Sequence, residues 1–413
     1  MEQIINDNIR YAVRLWVERQ EEAIKIFGHI SNWDTSKVTN MSGLFCGRQF
    51  RDFNSDISKW DVSNVADMTC MFDCAIAFNI NISKWNVGKV KYMYKMFSEA
   101  LSFNQDIGNW NVSNVRNMGY MFNRALSFNQ DINSWDVSKV KNMECMFQSA
   151  ELFNGCIGDW NVSKVNNMEK MFESAVFFSK DISKWNVSNV TNMTNMFTCA
   201  KSFNSDLSNW NVSNVRKMCN MFCETLSFDN GGSDNINKWD VSNVKDMKCM
   251  FYMARVFNRD IGNWDVSNVK NMNAMFCGTF YFDKDLSNWN VSNVNDMCHM
   301  FTSASFNQNI GKWPINKKCK MTDVFNYNQI SKKTFEGKIY GNRIAEYFNL
   351  DNPNEFLVWE PYTRWKRRKN AVIFFSSISK LDINEVNENQ KTNELIKLID
   401  IDDNIYKEIV SFI

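Results

Sequence analysis

Apolar residues return along this chain in a fixed order. In residues 107–125, IGNWNVSNVRNMGYMFNRA, the apolar positions are Ile107, Trp110, Val112, Val115, Met118, Met121, Phe122 and Ala125. Ile107, Trp110 and Val112 predict an extended segment. Val115 to Ala125 stand at steps of three and four, the helical period, and predict a turn or two of helix. Ser113, just before that run, suits an N-cap or a turn. The same order returns at 185–197 (WNVSNVTNMTNMF) and at 264–276 (WDVSNVKNMNAMF).

The repeat is long-lived and nearly constant in period. Trp33, Trp60, Trp85, Trp110, Trp135, Trp160, Trp185, Trp210, Trp239, Trp264, Trp289 and Trp313 form a ladder with steps mostly of 25 residues; the first step is 27, one is 29 and the last is 24. Length changes fall in one segment, at residues 46–54, 228–236 and 302–307. That segment is expected to be a loop that bulges outward without breaking the stack. A coil of this length cannot close a core alone, so successive coils must stack and bury Trp, Val, Met and Phe in continuous columns. At a strand-like spacing of about 4.8 Å, twelve coils make a rod of roughly 50–60 Å. The Asn or Asp after Phe (Asn54, Asn79, Asn104, Asn129 and their equivalents) should stack as well, binding backbone groups at a tight turn. Two columns of Met suit the uneven gaps between aromatic rings.

The phrase W-[DN]-V-S-N-V-x-x-M-x-x-M-F-x-x-A-x-x-F-N-x-D-I resembles the BspA-like repeat of 25 residues, a divergent relative of leucine-rich repeats, over residues 28–325. The resemblance implies a repeat solenoid of leucine-rich-repeat-like coils, each a short strand plus a short helical turn, and about twelve coils. It implies no reaction. Members of that family occur in mollicute surface lipoproteins, in protists and in giant DNA viruses, and the bacterial members resemble adhesins with a lipoprotein signal. The N-terminus here, MEQIINDNIRYAVRLWVERQ, shows no such signal. With an Asn-, Lys- and Ile-rich composition, this points to an intracellular protein of a giant virus or protist.

The ends depart from the repeat. Residues 1–27 read as a capping helix, with Ile5, Ile9, Ala12, Val13, Trp16 and Val17 on one face, then Ala23, Ile24 and Phe27. After Trp313 the pattern decays: Pro314 follows, and Lys318 replaces Val, while Met321 and Phe325 keep register. Residues 326–413 hold no repeat and read as a mostly helical cap or docking region, with helices expected over 364–381 and 393–413 and a polar linker at 384–393.

Charge and chemistry narrow the function classes. Lys+Arg number 47 and Asp+Glu 46, for a net charge of +1, so no general adhesion to nucleic acid or membrane is expected. No apolar run approaches the ~18 residues of a membrane span. The 12 Cys are expected as free thiols in a reducing compartment, the cytoplasm. Only two His are present, His29 and His299, far apart in sequence, which disfavours a Ser-His-Asp or Cys-His site. The pairs Cys70/Cys74 and Cys219/Cys223 have a spacing that suits one helical face. Cys70, Cys145 and Cys249 nevertheless share one repeat position, and Cys74 and Cys199 another, so they read as small residues the repeat tolerates. The stretch 229–235, DNGGSDN, lacks the alternating ligands of a calcium loop and reads as an insertion that could form an epitope. Sequons at Asn111, Asn161, Asn186, Asn211 and Asn290 follow from the consensus, in coils expected to be buried and therefore poor acceptors. Lys recurs before Trp (Lys59, Lys84, Lys184, Lys238, Lys312) and after Ser (Lys37, Lys89, Lys139, Lys164), but Asn and Asp interrupt both rows; nucleic acid is not the expected partner. Lys366, Arg367, Arg368 and Lys369 read as a solvated helix end.

No catalytic, cofactor-binding or metal-binding residue is assigned. The expected function is a non-enzymatic, protein-binding scaffold whose core positions are constant and whose Val-x-x-Met positions vary from coil to coil. Two alternatives stand beside it. One is an adaptor that recruits cellular machinery, such as a ubiquitin ligase, through residues 393–413, where DDNIYKEIVSFI faintly resembles the first helix of an F-box. The other is a surface adhesin, by family analogy.

Overall fold

A computed structural model describes residues 2–325. The expectations for residues 326–413, including the helices, the linker and the Lys366–Lys369 cluster, lie outside the described residues.

The N-terminal cap is two helices, α1 (Ile9–Glu18) and α2 (Gln20–Phe27), broken at Arg19, whose backbone leaves the helical region (φ −146°, ψ 67°). α1 buries Ile9, Ala12, Val13, Leu15 and Trp16. The expected face is therefore rotated slightly: Leu15 faces the core, while Ile5, Val17 and Ile24 are exposed. His29 follows α2 as the cap of a short 3-10 turn, its ring accepting from Ser31 N at 3.3 Å.

From Trp33 onward each coil buries the columns expected from the repeat. Trp, Val, both Met, Phe and Ile are all 0–4% exposed from Val38 to Trp313, apart from the irregular positions at the insertions and the last coil. The rings lie parallel. Phe122 stacks on Phe97 and Phe147 at 5.7 and 5.6 Å, and Trp135 on Trp160 at 6.3 Å with a 3° tilt. Within a coil, Phe122 also stacks on Phe128 at 3.9 Å. Each indole N–H needs a partner once buried, and from Trp60 onward the ladder finds it in the preceding coil: Trp110 Nε1 donates to Ile82 O at 3.2 Å, and Trp135 Nε1 to Ile107 O at 3.0 Å.

The local structure differs from a strand-plus-helix coil. Among the described residues, the coils contain neither a helix of the α type nor an extended strand; they are chains of tight turns joined by single parallel bridges. Ile107 to Val112 holds a turn, closed by Trp110 N to Ile107 O at 3.1 Å. The predicted helix over 115–125 is three more turns: Met121 N to Met118 O, Asn123 N to Tyr120 O and Ala125 N to Phe122 O, at 3.1–3.2 Å. A turn bond spans three residues, so successive turns also bring every third or fourth side chain inward. The periodicity is the same; the hydrogen bonds are not. Met118, Tyr120, Phe122 and Arg124 donate their N–H to Asn142, Glu144, Met146 and Gln148 of the next coil, at 2.7–3.1 Å. The stacking direction takes up the donors a helix would keep for itself.

These turns require a left-handed backbone at two places per coil. Tyr120 (φ 58°) and Arg124 (φ 56°) are the third residues of their turns, and the equivalent positions throughout the stack share that sign. Residues as different as Cys, Ser, Lys, Glu, Tyr, Arg, Asn and Gly occupy these positions, and no Val, Ile, Thr or Pro does. Branching at Cβ makes positive φ costly, which explains the exclusion.

Two polar columns hold the corners. Asn79 Oδ1 accepts from Asn104 N at 3.0 Å, and Asn104 Oδ1 from Asn129 N at 2.9 Å, as the Asn ladder predicts. After the Trp of most coils, the Asn or Asp side chain accepts from the N–H two residues on, a serine as in Asp136 with Ser138 at 3.0 Å, or Gly88 in the case of Asn86. Hydrogen bonds from the serine hydroxyl and then its N–H hold Asp34, Asp136 and Asp265 below the ordinary carboxylate range. A depressed folded-state pKa contributes stability above the unfolded value of about 4 and loses it as pH falls through the folded value. The melting temperature is therefore expected to fall below pH ~4. Asp136→Asn and Asp265→Asn together should flatten that slope without disturbing the fold, since Asn fills the same corner at Asn111 and Asn161. Thermal unfolding across acidic pH checks this; an unchanged slope in the double variant would count against the corner bonds.

Candidate binding surface

The exposed surface is built from positions between the buried columns. The first residue of each Val-x-x-Met pair is exposed in nearly every coil, as at Thr39, Lys91, Arg116, Lys141, Asn166 and Thr191. The second, at Asn117, Asn142, Asn167 and Asn192, is half-buried and forms the bridge to its equivalents. The first-position residues are themselves joined along the stack: Arg116 N donates to Lys91 O at 2.9 Å, Lys141 N to Arg116 O at 3.0 Å, Asn166 N to Lys141 O at 3.0 Å. The backbone thus presents a row of side chains, one per coil and exposed in nearly all of them, on a nearly constant core.

The candidate chemistry noted in the sequence is dispersed or internally satisfied. His29 lies at the cap and His299 in the last full coils, where its Nδ1 is 4.0 Å from Asp323 Oδ2. Cys70 and Cys74 do not share a helical face. They occupy the two left-handed turn positions of one coil, φ 54° and 66°. Cys74 Sγ lies 3.8 Å from both Asp73 Oδ1 and Glu99 Oε2. Burial, reinforced by Asp73, pushes the Cys70 and Cys74 thiols up to about 11, and burial does the same at Cys145 and Cys199. Such thiols stay protonated and weakly nucleophilic near neutral pH. All twelve Cys are free, and among the described residues no group of three or more His, Cys, Asp or Glu could hold a metal ion.

The insertions point partly inward rather than bulging out. Phe50, in the 3-10 turn Arg48–Phe50, is buried edge-on against Phe45 at 5.8 Å. In the longer insertion, Asn230 is wholly buried: its Oδ1 accepts from Leu207 N at 2.8 Å and its Nδ2 donates to Ser233 O at 2.8 Å. Arg259 then pins the loop, with Nε to Asp229 Oδ1 at 2.8 Å, Nη1 to Gly232 O at 2.7 Å, and Nη2 to Asp229 Oδ2. The acids that suggested calcium are bound by this arginine. A sequence alone could have pointed to Arg259, which is the cation one coil after the insertion. Arg259→Ala leaves the partly buried Asp229 without its cation and with only Asn258 N donating to its side chain, at an expected cost of about 1–3 kcal/mol. Urea denaturation measures the cost, and amide exchange should rise over residues 229–238; unchanged protection there would show the loop is held by other contacts.

The sequon asparagines are exposed, contrary to the burial expected of them. Asn111 Oδ1 accepts from Ser113 N at 3.2 Å, and Asn186 Oδ1 from Ser188 N at 3.1 Å. Their repetition is accounted for by this corner bond. No helix among the described residues is long and apolar enough to cross a membrane.

No curated protein matches the chain. Among solved structures, it is similar to the one described as the crystal structure of the TLR13–ssRNA13 complex, at 8% identity and a TM-score of 0.22, over 66% of this chain and 42% of that one. It is also similar to the functional domain of InlJ from Listeria monocytogenes, described as including a cysteine ladder, at 8% identity and a TM-score of 0.18, over 66% of this chain and 71% of that chain. The chain spans less than half the length of the first of these. A family model matches residues 17–135, 95–176, 155–234 and 230–337, overlapping segments that run through the Trp ladder. With that repeat and its stacked coils, the chain belongs to the family described as Mycoplasma protein of unknown function, DUF285.

Proposed function

We propose that the chain is a non-enzymatic scaffold that binds protein partners along its solenoid surface. One observation carries this reading. The exposed row between Val and Met is held in register by main-chain bonds while its side chains change from coil to coil. A rigid surface with variable residues suits recognition, because little ordering entropy is lost on binding. The protonated thiols and the separated histidines support a role without catalysis. Free thiols throughout support a reducing compartment such as the cytoplasm. The adaptor reading rests on residues 393–413, outside the described region, and the adhesin reading on family analogy; no observation on residues 2–325 favours either.

The test is affinity capture from cell lysate, comparing the natural chain with one whose exposed row (Lys91, Arg116, Lys141, Asn166, Thr191, Arg216) is changed to serine. Proteins retained by the first and lost by the second support the scaffold reading. Equal retention by both would move the binding element off this surface.

A further inference from the structure

Six of the exposed row positions carry cations, in two groups of three successive coils: Lys91, Arg116 and Lys141, then Arg216, Lys245 and Lys270. Main-chain bonds run directly between the charged residues. Lys245 N donates to Arg216 O at 3.1 Å and Lys270 N to Lys245 O at 2.9 Å, matching the bonds in the first group. Equivalent residues so joined stand about 5 Å apart. Among the described residues, none of the six enters an ion pair. The chain as a whole carries only +1, so the row is a local concentration of charge rather than part of a general excess. Like charges at this spacing repel one another, and an anion lying along the row relieves that repulsion.

The surroundings narrow the class of anion. Exposed Asp61, Asp136, Asp240 and Asp265 lie a few residues before the row positions, and Asp67 and Asp246 occupy the bridge position beside it. Asn166 and Thr191 interrupt the row with two neutral coils. A nucleic acid carries a phosphate at every unit and would meet these carboxylates. Tyr92 is the only exposed aromatic residue at the row or bridge positions, so successive bases have no stacking platform. A polypeptide can place its charges residue by residue. We infer that the row binds an extended acidic peptide segment with two clusters of Asp or Glu separated by a neutral spacer. Lys141 and Arg216 are three coils apart, about 15 Å, which an extended spacer of four or five residues spans. This deepens the protein-binding reading above and rests on it.

The experiment uses the full chain and a fluorescein-labelled peptide, Glu-Ser-Glu-Ser-Glu twice, joined by a neutral Gly/Ser spacer of that length. Controls are the peptide with Gln for Glu and an oligothymidylate of equal charge. The protein variants are Lys91→Glu, Arg116→Glu and Lys141→Glu combined, and as control Lys59→Glu, Lys84→Glu and Lys238→Glu combined, all exposed positions. Circular dichroism checks that both remain folded. Fluorescence anisotropy should show saturable binding of the acidic peptide that weakens with salt, reduced at least about tenfold by the row variant and no more than about twofold by the control. Absence of binding, equal loss in both variants, or tighter binding of the oligothymidylate than of the peptide would overturn the proposal. Lysate capture with the row variant and the serine-row chain separates the two readings. Partners retained by the row variant but lost by the serine-row chain sink the acidic-peptide inference and leave the scaffold standing; no partners on any form sinks both.

Discussion

Phe172→Ala is expected to cost about 3–5 kcal/mol, the range for truncating a buried aromatic ring where the site cannot collapse. Phe172 is fully buried near the middle of the stack. Its ring lies parallel to Phe147 at 5.7 Å, Phe197 at 5.6 Å and Phe178 at 4.2 Å. Collapse is prevented by the coil-to-coil bonds on both sides, Phe147 N to Met171 O and Phe172 N to Met196 O, both 2.9 Å. The loss should also show in cooperativity. Each coil of a solenoid touches only its neighbours, so a weak interface lets the two halves unfold separately. Urea denaturation followed by circular dichroism and tryptophan fluorescence should give a lower midpoint and two separable transitions. A loss below about 1 kcal/mol with a single unchanged transition would mean that the aromatic column does not couple the coils.

Removing residues 2–27 is expected to cause self-association and a large fall in melting temperature. The cap covers the open face of the first coil: Trp16 meets Trp33 edge-on at 6.2 Å, and Phe27 meets Trp33 at 5.9 Å. Each large side chain lost from this contact carries about 1.5–3 kcal/mol of transfer free energy, partly offset by the entropy of ordering the cap. The cap also imitates a coil in its hydrogen bonding. Within the stack, the N–H of the row residue donates to the preceding coil, as Ala66 N does to Thr39 O at 2.8 Å. Thr39 has no preceding coil, and its N–H donates instead to Asn6 Oδ1 at 2.9 Å. Without the cap, that donor and the apolar face are open to the end of another molecule. Sedimentation velocity should show concentration-dependent oligomers of the truncated chain beyond the state of the natural chain, while Asn6→Ala sediments like the natural chain with a loss of about 1 kcal/mol. A truncated chain that sediments unchanged and melts at the original temperature would show that the first coil needs no cover.

Much of the core was legible before any coordinates. The Trp ladder, the Met and Phe columns and the Asn corner all stand where the repeat places them, because a side chain that must be buried in every coil cannot change from coil to coil. The local backbone was not legible. Steps of three and four at Val115, Met118, Met121, Phe122 and Ala125 describe a helix and a chain of tight turns equally well. What separates them is where Tyr120 and Phe122 send their N–H groups, which is a contact with residues about 25 positions away. The binding surface was legible in part. The variable Val-x-x-Met pairs marked it, yet the cations at Lys91, Arg116 and Lys141 did not stand out in the sequence, where the recurring Lys before Trp and after Ser were set aside because Asn and Asp interrupt them.

The sequence by itself determined the period, the stacked columns and the repeat character of the chain, since each is a property of what repeats. Only the tertiary structure decided the turn-built backbone, the left-handed positions that exclude branched residues, the inward insertion pinned by Arg259, and the single row in which charged residues bond coil to coil. The physical reason is common to all four. Burial constrains side-chain type one position at a time and is written in the chain, whereas hydrogen-bond direction and charge alignment are relations between coils, settled only when one coil lies on the next.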